Sequence, residues 1–167
     1  MIDIILKAKK INSQNFKKFG EVINFNKNKY KYINNGFAKK FDNLAKIRIL
    51  KNSGKVKFSI FISKPRKFPL KIEMLERHPL STQLFFPISK YGFIVVVCAN
   101  KNKPSINEIK SFIIPPNIGI NYKIGIWHYP LITKYKSNFI VIDSKSLKKN
   151  IEIFKFNKQN IILNDAR

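Results

Sequence analysis

Hydrophobic and polar positions alternate along much of this chain, in short runs broken by turn residues. Residues 55–63, KVKFSIFIS, alternate most clearly and predict a strand with one buried face. Residues 45–50, AKIRIL, and 151–156, IEIFKF, keep the same two-residue period and predict two more strands. Residues 93–99, FIVVVCA, are continuously apolar and β-branched, which predicts a central strand buried on both faces. Residues 84–86, directly after Gln83, and 139–143, FIVID, predict further buried strands. Shorter extended pieces are expected at 21–25, 32–35, 112–114, 119–122 and 125–128. Turn signals fall between them, at Gly36, Asn52-Ser53-Gly54, 89–92 and Pro115-Pro116. A short helix is expected at 11–20, with Asn12 or Ser13 as cap and Gly20 as terminator. One helical turn is expected at 105–110, where Ser105 and Glu108 have capping-box spacing. Residues 26–31 read as a polar turn, and the tail 157–167 as a segment that wraps the surface or frays. Many short strands with little helix predict an all-β protein, an antiparallel sandwich or barrel.

Length and composition narrow this picture. A chain of 167 residues suits one domain, expected over 1–167, and no linker divides it. No apolar run reaches membrane-spanning length, and the opening MIDIILKAKK is too short for a secretory apolar region. The lone Cys98 lies in the apolar run and is expected to be a small core residue in a reducing cytoplasm. The formal net charge of +24 rests on 29 lysines and only four arginines, spread from end to end. Readers of nucleic acid favour the forked guanidinium, so no nucleic-acid partner is expected. The lysines travel with Asn, Ile and Phe, as compositional drift in an A/T-rich genome produces. Whatever its origin, the positive field draws small anions.

The residue inventory removes whole classes of chemistry. One cysteine cannot build a thiolate zinc site, and no GxSxG elbow or P-loop is present. What remains is a spacing, Glu76, His78 and Gln83 as E-x-H-x-x-x-x-Q. It is similar to the H-x-H-x(3 or 4)-E motif of cupin barrels, whose residues point inward at a metal. Alternate strand residues share a face, so Glu76 and His78 are expected to point the same way. Residues 116–122 resemble the second cupin motif, with Tyr122 in place of its histidine.

The wording of three stretches is more specific than their spacing. INNGFAKKFDNLA (33–45), LERHPLSTQLFFP (75–87) and NYKIGIWHYPL (121–131) closely resemble the ureidoglycolate lyase family, long called ureidoglycolate hydrolase. FGEVI (19–23) and FIVID (139–143) fall in the family's order. The resemblance implies a cupin-like barrel of the jelly-roll type with a short N-terminal helix. It also implies a cytoplasmic enzyme of allantoin and purine breakdown, a homodimer, and a small anionic substrate. The implied reaction splits ureidoglycolate into glyoxylate and urea. That chemistry needs a base, an acid, a cation for the carboxylate and partners for the urea head. His128 or His78 is then the expected base, and Glu76 the acid or the group that orients His78. Gln83 and Asn34 are expected to bond the urea or carboxylate, Tyr122 to donate from the opposite strand, and Trp127 to wall the pocket. Lys64 or Arg66 is expected to meet the carboxylate. Metal-independent chemistry is expected, with a weakly held divalent ion of nickel type as the alternative.

Several positions depart from the family pattern. Ile62, which precedes the small Ser63, and Lys123, Ile124, Tyr129 and Ser144 stand where relatives tend to carry arginines or histidines. Fewer inward arginines mean a weaker grip on a carboxylate. A related ureido or 2-hydroxy acid, or a non-catalytic cupin that binds a small carboxylate, are the alternative readings.

Overall fold

A computed structural model describes residues 3–27, 29–157 and 159–164. Its strands, in chain order, are β1 (Asp3–Leu6), β2 (Lys9–Lys10), β3 (Gly20–Ile23), β4 (Lys31–Ile33), β5 (Ala38–Lys40), β6 (Gly54–Ser63), β7 (Leu70–Lys71) and β8 (Met74–Arg77). They continue as β9 (Gln83–Pro87), β10 (Phe93–Cys98), β11 (Lys110–Ile114), β12 (Gly119–Tyr122), β13 (Trp127–His128), β14 (Ser137–Ser146), β15 (Glu152–Lys155) and β16 (Asn160–Leu163). The all-β expectation holds, and the architecture is a cupin-like sandwich. A six-stranded sheet, β15-β8-β13-β10-β11-β2, faces a five-stranded sheet, β3-β12-β9-β14-β6. A third sheet, β1-β16-β7, covers the far side of the six-stranded one, and β4 and β5 form a separate hairpin.

Strand β10 explains this layering. Every residue of Phe93–Cys98 is buried, as a continuous apolar run requires. Side chains alternate across a strand. Phe93, Val95 and Val97 therefore enter the core between the two large sheets, with Phe85, Tyr122, Phe139 and Val141. Ile94, Val96 and Cys98 enter a second core beneath β1 and β16, with Leu75, Trp127 and Ile161. Cys98 is free and buried, the small core residue its setting predicts.

Some local expectations give way to tertiary context. The helix is α1 (Ser13–Phe16), a single turn. Asn12 and Asn15 exchange side-chain-to-backbone bonds as a capping box, and Gly20 already belongs to β3. Residues 45–50 form no strand beyond one bridge between Ile49 and Ser81. The Arg48 N–H donates to the Thr82 hydroxyl instead of a ladder carbonyl. The turn after Ser105 is a 3-10 turn, Ile106–Glu108, without a side-chain cap, because the Glu108 N–H donates to the Ser105 carbonyl; the Glu108 carboxylate accepts from Asn100 Nδ2. The tail does not fray up to Leu163, since β16 pairs with β1 and β7 and buries Ile161 and Leu163. Lys158 and residues 165–167 of that tail, and Asn28 of the expected turn, lie outside the described residues. No described helix is long and apolar enough to cross a membrane.

Candidate active site

The site is built from two cross-strand pairs, one on each large sheet. On the six-stranded sheet, His128 of β13 lies opposite Glu76 of β8. On the five-stranded sheet, Tyr122 of β12 lies opposite Gln83 of β9. Directly opposed residues share a face and bring their side chains close. The two pairs line one cavity of about 310 Å³, with Phe61, Phe85, Val95 and Leu131 as apolar wall and Ser63 and Arg66 also lining it.

His78 follows immediately after β8, and its ring lies 5.4 Å from that of His128. The turn that returns to β13 is tied to it, for the Gly125 N–H donates to the His78 carbonyl at 2.9 Å. Gly125 holds φ +76°, a conformation that suits glycine. Ligand atoms of Glu76, His78 and His128 all fall within 4.8 Å of one another.

The protons on both imidazoles are fixed by their partners. A carbonyl oxygen only accepts, so His128 Nδ1–H donates to Ile126 O at 3.0 Å, and His78 Nδ1–H donates to Asn150 O at 2.6 Å. Nδ1 of each ring is thus committed to a backbone carbonyl, and both Nε2 atoms are buried without a hydrogen-bond partner. His128 Nε2 stands 3.7 Å from Glu76 Oε1. Burial, with the neighbouring His78, pushes the His128 imidazole down to about 3, so it is neutral. Burial raises the Glu76 carboxyl, and His78 partly opposes that rise. Burial also pushes the Tyr122 phenol up, with Glu76 adding to the effect, so it stays protonated. The Tyr122 ring stacks on His128 at 4.4 Å and 16°, which fixes the imidazole plane. Gln83 Oε1 is a further buried acceptor without a partner. The group is rich in lone pairs and poor in donors, which suits a proton or a cation at its centre.

Among the residues the sequence singled out, Glu76, Gln83, Tyr122, His128 and Arg66 line the cavity, and His78 stands outside the lining against His128. Arg66 is exposed, and its backbone N–H is pinned to Thr133 O at 2.8 Å. Three others stand apart from the cavity lining. Trp127 neighbours His128 on a strand and so faces the opposite way. It is buried in the second core, with the Arg77 guanidinium 4.5 Å over its ring. Lys64 is exposed, and its carbonyl accepts from the Ser63 and Thr133 hydroxyls. Asn34 is exposed at φ 52°, in the turn of the β4–β5 hairpin. Sequence reasoning missed Asn150, which lies 72 residues from its partner His78 in a lysine- and asparagine-rich segment with no local signal.

A family model described as ureidoglycolate lyase matches residues 3–163. A ureidoglycolate lyase of Pseudomonas paraeruginosa is 32% identical over 163 residues, 97% of this chain and 96% of its own. A Pseudomonas aeruginosa relative of the same name shows the same identity and coverage. A ureidoglycolate lyase of Escherichia coli is 35% identical over 134 residues, 80% of this chain and 83% of its own. With nearly the whole chain matched, this protein belongs to the ureidoglycolate lyase family.

Proposed function

We propose that this protein eliminates urea from ureidoglycolate to give glyoxylate. The observation that carries the reading is the Glu76–His128 pair at 3.7 Å in the wall of a cavity that also presents Gln83, Tyr122 and Arg66. In the substrate one carbon bears hydroxyl, ureido and carboxylate groups. The hydroxyl proton passes to His128 Nε2, the oxygen closes to a carbonyl, and the carbon–nitrogen bond breaks. Its electron pair goes to the departing nitrogen, which takes the proton of the Glu76 carboxyl. The products are glyoxylate and urea, and a proton returning from Nε2 to Oε1 resets the site.

Magnitudes explain why the two transfers belong together. Protonating His128 alone is costly, because lowering its value from 6.5 to about 3 corresponds to about 5 kcal/mol. An imidazolium and a carboxylate 3.7 Å apart attract by about 4–5 kcal/mol at an effective dielectric of about 20. The cation on His128 is therefore accessible only as Glu76 gives up its proton. Gln83 Oε1 accepts from the urea amide, the exposed Arg66 guanidinium meets the carboxylate, and His78 keeps a third lone pair beside Glu76.

Glu76, His78 and His128 also suit a weakly held divalent ion, since three converging lone-pair atoms without donors form a fitting ligand set. Such an ion, when bound, would act as a Lewis acid on a substrate oxygen. The outer face of β6 supports a homodimer. Val56, Phe58 and Ile60 alternate along it, from 51% to 63% exposed, while Lys55 and Lys57 point to the other face. An apolar stripe free of charge on so basic a protein fits a second copy of itself. The two cores share β10, which supports one domain over 1–167. The reduced thiol of Cys98 suits the cytoplasm.

The decisive experiment offers ureidoglycolate to the recombinant protein and measures urea, glyoxylate and ammonia. Equal release of urea and glyoxylate above the spontaneous rate is expected. Ammonia in place of urea would mean hydrolysis of the ureido group, and no product above background would sink the assignment. Ile62 in the cavity lining, where relatives tend to carry arginine, favours a related ureido or 2-hydroxy acid as the second reading. That reading predicts turnover of such an acid with little of ureidoglycolate. A non-catalytic cupin would instead show saturable glyoxylate binding without turnover.

A further inference from the structure

His78 stands one residue beyond the end of β8, where no ladder hydrogen bond fixes its ring. Asn150, between β14 and β15, meets it with three separate groups. Its carbonyl accepts from His78 Nδ1–H at 2.6 Å, and its Oδ1 accepts from the Leu80 N–H at 2.8 Å. Its Nδ2 donates to the Ser81 hydroxyl at 2.8 Å. One residue therefore grips the ring, the backbone and a side chain of the segment 78–81 that joins Glu76 to Gln83. The residues before it, Leu147, Lys148 and Lys149, are all exposed, so the carbonyl of Asn150 has little packing of its own to hold it. The side-chain bonds to Leu80 and Ser81 supply that hold.

We propose that Asn150 is a positioning residue. Its side-chain clamp on Leu80 and Ser81 sets its own carbonyl against His78 Nδ1. The ring is thereby locked in the tautomer that keeps the Nε2 lone pair beside Glu76. The opposite tautomer would break the bond to the Asn150 carbonyl and leave the ring free to turn away from Glu76 and His128. Nothing in this role requires Asn150 to touch substrate. The proposal rests on the reading of His78 as part of the site, so its test needs a readout other than turnover.

The chain has two histidines, so the spectrum of ¹⁵N-labelled imidazoles contains two ring systems, and His128→Asn assigns them. In the wild type His78 is expected as the pure Nδ1–H tautomer. In Asn150→Ala its signals move to a tautomer average while those of His128 stay. With ureidoglycolate, kcat falls about tenfold or more and KM changes little, as loss of a residue that orients a site histidine does. Asn150→Asp, whose carboxylate can accept from both the Leu80 N–H and the Ser81 hydroxyl, restores ring signal and rate. Ser81→Ala loosens one grip only and moves the His78 signals part of the way, and it carries the test if Asn150→Ala does not fold. A His78 ring that remains pure Nδ1–H in both Asn150→Ala and Ser81→Ala overturns the proposal, even if activity drops. If the ring signals shift as expected but the wild type releases no urea, the clamp stands and the lyase reading falls.

Discussion

Acid should weaken this protein through His128 in a way that can be calculated. The side chain is 2% exposed and its imidazole is held down to about 3 in the folded state, against 6.5 for a solvated histidine. Below pH 6.5 the unfolded chain binds a proton here and the folded chain does not. Stability is therefore lost as pH falls, at about 1.4 kcal/mol per unit, until the folded group titrates near pH 3. Between pH 7 and pH 4.5 the loss comes to about 2.5 kcal/mol. The raised Glu76 carboxyl acts with the opposite sign, since its folded form binds the extra proton and gains stability as pH falls. The comparison is therefore with His128→Asn, which keeps an amide near the Nδ1 position for the Ile126 carbonyl and leaves Glu76 buried. Urea unfolding of both proteins at several pH values should show wild type falling more steeply by about 2.5 kcal/mol over that interval. Parallel stability curves for the two proteins would refute the assignment of a buried neutral imidazole.

Three further outcomes follow from the same geometry. Glu76→Gln removes the proton donor but keeps the shape, so kcat for urea release should fall by about 10²–10⁴ with a smaller change in KM; an unchanged kcat would remove Glu76 from the chemistry. Trp127→Ala opens the second core beneath β1 and β16 and should cost about 3–5 kcal/mol in chemical unfolding, whereas a pocket role would appear first in KM. Phe58→Asp with Ile60→Asp should convert a dimer to a monomer in sedimentation while leaving the far-ultraviolet spectrum unchanged; a dimer that survives places the contact elsewhere.

Much of the fold is legible in the sequence because its strands declare themselves locally. The apolar runs of β10 and β14 and the alternation of β6 appear in the order and at the places their patterns predict. Residues 45–50 mislead because alternation describes a face and not a partner: their pairing with 80–82 stops at one bridge, where the Arg48 N–H turns to a side-chain hydroxyl. The residues of the candidate cavity are legible as types and blocks, since Glu76, Gln83, Tyr122 and His128 line it and His78 stands against His128. Their pairing is not, because Glu76 meets His128 across strands 52 positions apart in sequence, while the spacing points only to its near neighbour His78. Trp127 shows the converse. It sits in the most specific sequence block, yet a period of two sends it to the opposite face from His128.

The parallel pairing of β1 with β16, Asp3 opposite Asn160, bears on how the molecule is assembled. These strands lie near the two ends of the chain, so their ladder closes a loop of nearly the whole polypeptide. Such a closure costs about 4–5 kcal/mol of chain entropy beyond its constant term, and is recovered only when Ile161 and Leu163 reach the second core. Contacts of such long range form late and slowly. The candidate cavity lies on the other side of β10, between the two large sheets, and its strand pairs are complete without that final ladder. Opening of the end strands would therefore bare Trp127 and Cys98 first, and local unfolding would begin on the face away from the chemistry.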